Sequence, residues 1–280
     1  ELRGNRLRPQ EGTSVSIATP LSVSSRVFTF TGPVNRPLQS QARVLVDDNV
    51  FAGSIAATYL IDIDMVTGPA SDWGSRSAAL QSVQVRGNYV ASSVAADYVI
   101  YSTMVGSPVV ADFRSIRSEA DLSSNRFGGS SSLQAVRQEM AAFNPQHDCD
   151  LRVHDNQFVL GATATEGVHS SVLSLAGETQ ASFANNQLLA SGAATVSHGL
   201  YASGFSQVDF DGNLFRGMDD GVPTVSANVF HASLPGPSSS PLQVSFTNNA
   251  VRRASVTGNV CAFAGSTSDS STENSFSFTG

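Results

Sequence analysis

The stretch Leu151-Arg-Val-His-Asp-Asn-Gln-Phe158 carries the pattern that decides the fold. Counted from Asn156, apolar residues stand at positions −5, −3 and +2. Alternate residues of a β-strand face opposite sides, so the −5 and −3 residues predict a strand with one buried face. The same pattern surrounds seven asparagines, with a truncated copy around Asn5: Asn49, Asn88, Asn125, Asn156, Asn186, Asn213 and Asn259.

The asparagine predicts a corner, because the parity of the apolar positions changes between −3 and +2. Among residues other than glycine, Asn best tolerates the left-handed conformation that such a bend needs. Its side-chain amide can also donate to and accept from an identical Asn one strand spacing away. Each copy is therefore a short strand, an Asn corner and a second short strand. One copy cannot bury its apolar face alone, so the copies must stack, with these asparagines forming a structural ladder.

The spacing between the asparagines predicts a solenoid of coils. Successive steps are 44, 39, 37, 31, 30, 27 and 46 residues. A constant strand-like motif with a variable spacer fits parallel coils that carry loops of different length at one corner. We therefore predict an all-β chain, with residues 1–280 forming one parallel β-helix domain of about seven to eight coils. The Asn corners resemble those of the right-handed parallel β-helix of the pectate-lyase-like superfamily, and this resemblance implies the right hand.

Several segments of the sequence depart from the regular repeat. The copies around Asn228 and Asn249 lie close to their neighbours, and a coil needs roughly 20 residues, so we interpret both as secondary strands within coils. Residues 133–143 have apolar residues at helical spacing but also suit the first strand of a coil. The closing residues 274–280 resemble 242–248, the first strand of the preceding coil. We therefore expect a segment of a longer protein, or neighbours stacked on both ends.

The charge and composition of the chain argue against several classes of binding partner. The chain carries a net charge of −7 and no Lys, and it lacks basic clusters. These properties argue against a nucleic acid or an anionic membrane surface as partner. It also has no apolar run of about 18 residues, so we expect no membrane insertion. The fold and composition favour an extracellular, cell-surface or virion-surface location.

The two cysteines are predicted to be unpaired. Cys261 occupies a +2 position and is expected to be a buried thiol. Cys149 lies about three coils away, which corresponds to roughly 14 Å at the strand spacing. A disulfide needs Cα atoms within about 7 Å, so the two thiols are too far apart.

The −4 and −2 positions are predicted to form two outward-facing columns. Catalytic β-helices carry charged residues on such a face. Only Asp209 and Asp211 are spaced as paired glycosidase acids would be, and Asp121 beside Arg152 suggests a surface ion pair. The mixed signs favour a solvated face. The −4 column comprises Leu45, Gln84, Asp121, Arg152, Ser182, Asp209 and Ser255, and the −2 column comprises Asp47, Arg86, Ser123, His154, Ala184, Asp211 and Thr257.

Two short motifs resemble parts of polygalacturonase-type glycosidases. They are Asp219-Asp220-Gly221 and Ser197-His198-Gly199, which resemble the Asp-Asp and Gly-His-Gly elements of that family. Their order is reversed, and the Asn-Thr-Asp and Arg-Ile-Lys elements are absent. A turn and a loop histidine are the favoured interpretation.

Two further groups of residues are candidates for a metal site and for a sugar-binding surface. The segment His147-Asp-Cys-Asp150, with His154 and Asp155, is the densest set of metal-ligand residue types. A zinc site usually needs a second pair of ligand residues at some distance along the sequence. A polar loop entering a strand is therefore the favoured interpretation, and we predict no metal or cofactor. Trp73 lies in a loop rich in Gly, Ser and Asp and is the candidate ligand contact. Three tyrosines suit either a sugar-stacking surface or ordinary strand positions: Tyr59, Tyr98 and Tyr101.

These features favour a non-enzymatic, structural or adhesive β-helix that presents variable loops within a spike, fibre or surface assembly. The expected partners are a polysaccharide or cell-surface ligand and further copies of the chain, as a homo-oligomer or an end-to-end stack. The alternative is a carbohydrate-active enzyme, either a polysaccharide lyase or hydrolase or a tailspike-like depolymerase. The resemblance in fold supports this alternative.

Overall fold

A computed structural model describes residues 1–10, 13–27, 39–67, 78–105, 115–142, 147–174, 178–218, 221–238, 241–267 and 275–279. Over these ranges the chain forms strands and turns and contains no α-helix. The strands wind into a right-handed parallel β-helix, which confirms the predicted fold. The first strands of the coils form a sheet of nine strands: β1 (Leu2–Arg3), β5 (Gln39–Asp47), β8 (Ala78–Arg86), β11 (Ser115–Ser123), β13 (His147–His154), β16 (Thr179–Ala184), β19 (Gln207–Asp211), β22 (Gln243–Thr247) and β26 (Ser275–Thr279).

The remaining strands belong to a seventeen-stranded sheet that covers the other sides of the coils. One complete coil consists of β13, then β14 (Gln157–Leu160), then β15 (Glu166–Ser174). The other strands of this sheet are β2 (Arg6–Leu7), β3 (Ser14–Ser16), β4 (Leu21–Val27), β6 (Val50–Phe51), β7 (Ser54–Thr67), β9 (Tyr89–Val90), β10 (Val94–Val105), β12 (Arg126–Ala142), β17 (Gln187–Ala190), β18 (Thr195–Ser203), β20 (Leu214–Gly217), β21 (Thr224–Ser238), β23 (Ala250–Arg252), β24 (Ser255–Val256) and β25 (Asn259–Thr267).

The core is built from columns of equivalent residues, as the repeat predicts. Val153 of β13 pairs in parallel register with Phe183 of β16, which pairs with Phe210 of β19. All three side chains are fully buried. The +2 residue Phe158 stacks on Phe127 of the preceding coil, with ring centroids 5.4 Å apart. Each coil thus buries its apolar face against its two neighbours, which is how a solenoid obtains a continuous core.

A ladder of asparagine amides runs along the corner after the first strand. In each link, the backbone N–H and the Nδ2 of one Asn donate to the Oδ1 of the Asn in the next coil, for example from Asn125 to Asn156 at 3.0 and 2.9 Å. The Nδ2 of Asn156 also donates to the carbonyl oxygen of Leu122 at 2.7 Å. The ladder joins Asn5, Asn49, Asn88, Asn125, Asn156, Asn186, Asn213 and Asn249.

The prediction that Asn259 belongs to this ladder is wrong. Asn213 donates to Asn249, so Asn249 is the corner of its coil and not part of a secondary strand. Asn259 starts β25, where its side chain is exposed and donates to the Oδ1 of Asn228 at 3.2 Å. The interpretation of the Asn228 copy as a secondary strand is confirmed, since Asn228 lies inside β21.

The left-handed residue of each corner is the one before the Asn, and not the Asn itself. Asp155 has a φ of 57° and Asn185 a φ of 55°, while glycine takes the same place at Gly87 and Gly212. A residue other than glycine pays a steric penalty there, so each such position is locally strained. The ladder Asn instead contributes its amide hydrogen bonds.

Residues 133–142 and the closing residues of the chain both form strands. Residues 133–142 are the second half of the strand β12 and not a helix. The closing strand β26 pairs in parallel with β22, from Gln243 opposite Ser275 to Thr247 opposite Thr279, which confirms the likeness between the two segments.

Candidate functional site

The outer face of the nine-stranded sheet carries the predicted polar columns. The −4 column runs in register through Asp121, Arg152, Ser182 and Asp209. In the coil after Asp209, Ser245 rather than Ser255 stands in the −4 column and Thr247 rather than Thr257 stands in the −2 column, because Asn249 is the corner of that coil. Beside it lies a column at −6 that sequence reasoning did not single out, formed by Asp150, Gln180, Gln207 and Gln243.

An open groove of about 430 Å³ lies between these two columns and spans four coils. Its floor is made by buried residues of three consecutive strands: Ala181, Val208 and Val244. Its flanks are the polar residues of the −6 and −4 columns: Asp150, Arg152, Gln180, Ser182, Gln207, Asp209, Gln243 and Ser245. Equivalent side chains on neighbouring coils are about 4.8 Å apart, so the three glutamines of the −6 column repeat at this interval along the helix axis.

The amides of Gln180, Gln207 and Gln243 are exposed and free for a ligand. No hydrogen bond from these three side-chain amides is found within the described part of the chain. Each amide offers two donors and an acceptor. The groove therefore presents a row of uncharged hydrogen-bonding groups along one flank.

An ion-pair cluster lies at one end of the groove. Asp150 accepts from Arg152 at 2.7 Å and lies 3.5 Å from Arg117, which also pairs with Glu119 at 2.7 Å. The hydrogen bond to Asp150 and its charge raise the pKa of Arg152. The prediction that Asp121 pairs with Arg152 is therefore wrong, because Arg152 pairs with Asp150. Asp121 instead lies 3.3 Å from the Nε2 of His154.

The two acids that sequence spacing suggested as a pair, Asp209 and Asp211, lie in different surroundings. Asp211 accepts hydrogen bonds from Thr247 at 2.5 Å and from Asn248 at 3.1 Å. These bonds lower the pKa of Asp211. A lowered pKa suits an ionised base or nucleophile and not the general acid, whose pKa must be raised so that it keeps its proton at the working pH. Asp209 faces the groove, whereas Asp211 is held by the neighbouring coil.

The predicted metal-ligand segment is split between the two faces of β13. His147 and Cys149 point into the core and are fully buried, whereas His154 faces outward. Burial lowers the pKa of His147 to about 4 and raises that of the Cys149 thiol to about 12. His147 Nε2 lies 2.8 Å from the hydroxyl of Ser118. Among the described residues, no three His, Cys, Asp or Glu side chains are placed to hold a metal ion.

The cysteine prediction is wrong in one respect. Cys261 is only half-buried, because it lies on β25 rather than after a ladder corner, whereas Cys149 is buried. Both are free thiols.

Sequence reasoning missed a second polar cluster, at a bend of the seventeen-stranded sheet. Glu166 lies at its centre and accepts hydrogen bonds from Gln134, His169 and His198. The predicted loop histidine His198 is thus a strand residue of β18. The spacing of Glu166 from its corner Asn differs from that of His198, so aligning the coils on the asparagines does not bring the two together.

Three tyrosines of the two preceding coils of this sheet lie in line with the polar cluster around Glu166. Tyr59 stacks on Tyr98 with ring centroids 5.3 Å apart, and both contact Tyr101. The stacking covers the facing sides of the Tyr59 and Tyr98 rings, so a ligand cannot reach those two faces. Trp73 and the Asp219-Asp220 pair lie outside the described residues.

Comparison with protein-family models, with curated proteins and with solved structures gave no match for this chain. Within the described ranges, no helix has the length and apolar character to cross a membrane.

Proposed function

We propose that this chain is a non-enzymatic, extracellular β-helix of a spike, fibre or surface assembly, and that it binds an extended polysaccharide in the groove of the nine-stranded sheet. The observation that carries the proposal is the row of free glutamine amides in register over three coils. A polymer of similar units, lying parallel to the helix axis, meets the same donors and acceptors at every step.

The chemistry of the groove suits a hydroxyl-rich and largely uncharged ligand. Its side chains are mainly Gln and Ser, which donate and accept without charge. The charged residues at one end of the groove, Asp150 and Arg152, neutralise each other. An acidic polymer would meet Asp209 without a compensating cation beside it in the groove, so a neutral polysaccharide fits better.

A binding role also accounts for the groove better than catalysis does. Hydrolysis of a glycosidic bond uses two carboxyl groups about 5–10 Å apart, one of which must hold a proton. Asp150 lies in the groove and is bound by an arginine, whereas Asp211 lies outside the groove lining and is bound by the next coil. Asp209 is left as a single carboxylate.

Affinity electrophoresis in gels that contain neutral polysaccharides tests this proposal. The triple variant Gln180→Ala, Gln207→Ala, Gln243→Ala should lose at least tenfold in affinity for a polysaccharide that retards the wild type. Gln187→Ala, an exposed glutamine on the other sheet, is the matched control and should bind normally. Equal retardation of the triple variant and the wild type would refute the groove as the site.

Product analysis separates binding from the enzymatic alternative. The bound polysaccharide should release neither new reducing ends nor unsaturated products during long incubation with the protein. Release of either product, abolished by Asp209→Asn, would overturn the non-enzymatic role and establish the carbohydrate-active alternative.

A further inference from the structure

A concave bend on the seventeen-stranded sheet gathers side chains that the proposed function does not use. In β15, two consecutive residues, Gly167 and Val168, point inward. The flanking residues Glu166 and His169 therefore both point outward and meet, with 2.8 Å between His169 Nδ1 and the Glu166 carboxylate. Gly167 is required there, because a Cβ at this position would collide with the carbonyl oxygen of Gly199 in the next coil.

The next two coils repeat this bend. His198 and Tyr201 of β18 flank an inward pair, with ring centroids 4.9 Å apart, and Asn228 and His231 of β21 do the same. The Tyr201 ring is stacked between His169 and His231, at 4.6 and 4.8 Å. Three imidazoles are thereby held in one concave strip by stacking and hydrogen bonds.

One carboxylate orients two of these imidazoles. Glu166 Oε2 accepts from His169 Nδ1 and from Gln134 Nε2 at 2.5 Å, and Oε1 accepts from His198 Nδ1 at 3.1 Å. An ionised carboxylate only accepts, so both Nδ1 atoms carry a proton. The opposite ring edges carry the two Nε2 atoms, which have no protein partner among the described residues. The His169 and His198 side chains are 21% and 17% exposed.

Protonation changes what these two Nε2 atoms offer. In the neutral ring Nε2 is an acceptor, and in the imidazolium ion it is a donor. Histidine is the side chain whose charge normally changes between pH 5 and 8. Glu166 stays ionised over this range, because its hydrogen bonds to the two histidines outweigh burial and lower its pKa to about 2. With both rings neutral the Glu166–His169–His198 group has a net charge of −1, and with both rings protonated it has a net charge of +1.

The surrounding groups do not cancel this change. Arg137 and Glu139 of β12 pair with each other, so their charges compensate. His231 receives a hydrogen bond at its Nδ1 from the Asn228 amide, and burial and the nearby His198 lower its pKa. The carboxylates Asp62 and Asp64 lie on β7, three coils from β15 in this sheet.

We propose that the bend formed by Glu166, His169, His198 and Tyr201 is a second binding site, which takes a sulfate, phosphate or carboxylate group under mildly acidic conditions and releases it at neutral pH. The two Nε2–H groups donate to the anion, and the stacked Tyr201 ring keeps the imidazoles in place. Such a group can arrive as a free ion or as a substituent of an acidic polymer.

Sulfate is the suitable probe, because its own charge does not change between pH 5 and 8. Histidine resonances are followed by NMR while sodium sulfate is added at constant ionic strength. Sulfate should shift the His169 and His198 signals at pH 5, with affinity at least tenfold weaker at pH 8. The double variant His169→Asn, His198→Asn should lose binding at pH 5, whereas His154→Asn, an outward histidine with carboxylate neighbours on the other sheet, should keep it.

Any one of three results would overturn the proposal. The first is that sulfate causes no shift at pH 5, the second is that it binds equally well at both pH values, and the third is that a folded double variant still binds it. The wild-type comparison at two pH values decides the question even if the double variant fails to fold. Dextran sulfate and unsubstituted dextran distinguish the sources of the anion: tighter binding of dextran sulfate than of inorganic sulfate assigns the site to a polymer, and equal affinity assigns it to a free anion. Loss of binding in the Gln180, Gln207 and Gln243 variant concerns only the groove, so the two sites are tested separately.

Discussion

Replacing Asn156 by alanine should cost the β-helix about 3–5 kcal/mol of unfolding free energy. The side chain is 1% exposed and takes part in four hydrogen bonds that alanine cannot make. Its Oδ1 accepts two from Asn125, and its Nδ2 donates to Asn186 and to the Leu122 carbonyl oxygen. A hydrogen bond contributes about 1 kcal/mol net, and a buried group left without a partner costs about 1–3 kcal/mol.

Asn259→Ala is the matched control, because the repeat pattern alone places both residues in the ladder. In the structure Asn259 is exposed and donates a single hydrogen bond, to Asn228. Its replacement should cost less than about 1 kcal/mol.

Equilibrium unfolding in urea gives the two free energies, with transitions followed by circular dichroism and by fluorescence to detect loss of two-state behaviour. Hydrogen exchange adds a local readout. The backbone N–H of Asn125 donates to Asn156 Oδ1, so its protection should fall in Asn156→Ala and not in Asn259→Ala. Equal costs for the two variants, or unchanged protection of Asn125, would refute the ladder as a source of stability.

Three further predictions concern single sites. Ser124 has a φ of 57°, so Ser124→Val should lower stability by about 1–2 kcal/mol, while Ser124→Gly should be close to neutral in urea unfolding. The pKa of Glu166 is lowered from 4.5 to about 2, so the stability that its ionised carboxylate contributes is complete above pH 4.5 and is lost as the pH falls towards 2. The variant Glu166→Gln should therefore lose less thermal stability than the wild type between pH 5 and 2. An equal loss in the two proteins would contradict this. A thiol reagent at pH 8 should modify half-buried Cys261 in the native protein and reach Cys149 only after denaturation, and rapid native modification of both would contradict the burial of Cys149.

Much of the architecture could be predicted because one physical constraint repeats. The residues at −5 and −3, such as Leu151 and Val153, must face the core in every coil, so local sequence shows both strand and register. The choice between Asn249 and Asn259 could not be made this way. Both have apolar residues at the required positions, and only the pairing of β22 with β19 decides which one stands at the corner.

The polar sites depend on distances that the sequence does not show. The groove follows from the same register as the core, so its −4 column was predicted, with the exception of the last coil. The bend around Glu166 lies beyond turns of different length. Glu166 follows its corner Asn156 by ten residues, whereas His198 follows Asn186 by twelve and Asn228 follows Asn213 by fifteen. Because of these insertions, the column of Glu166, His198 and Asn228 is seen only when the strands are paired in the structure.

The amide ladder has a direction. In every link the earlier asparagine donates and the later one accepts, so the side-chain dipoles add along the axis as peptide dipoles do in an α-helix. A duplicated unit such as the 30 residues from one corner to the next would receive and pass on the same bonds. Such a rod can lengthen in evolution by tandem duplication, whereas an inverted unit would set acceptor against acceptor and interrupt the column.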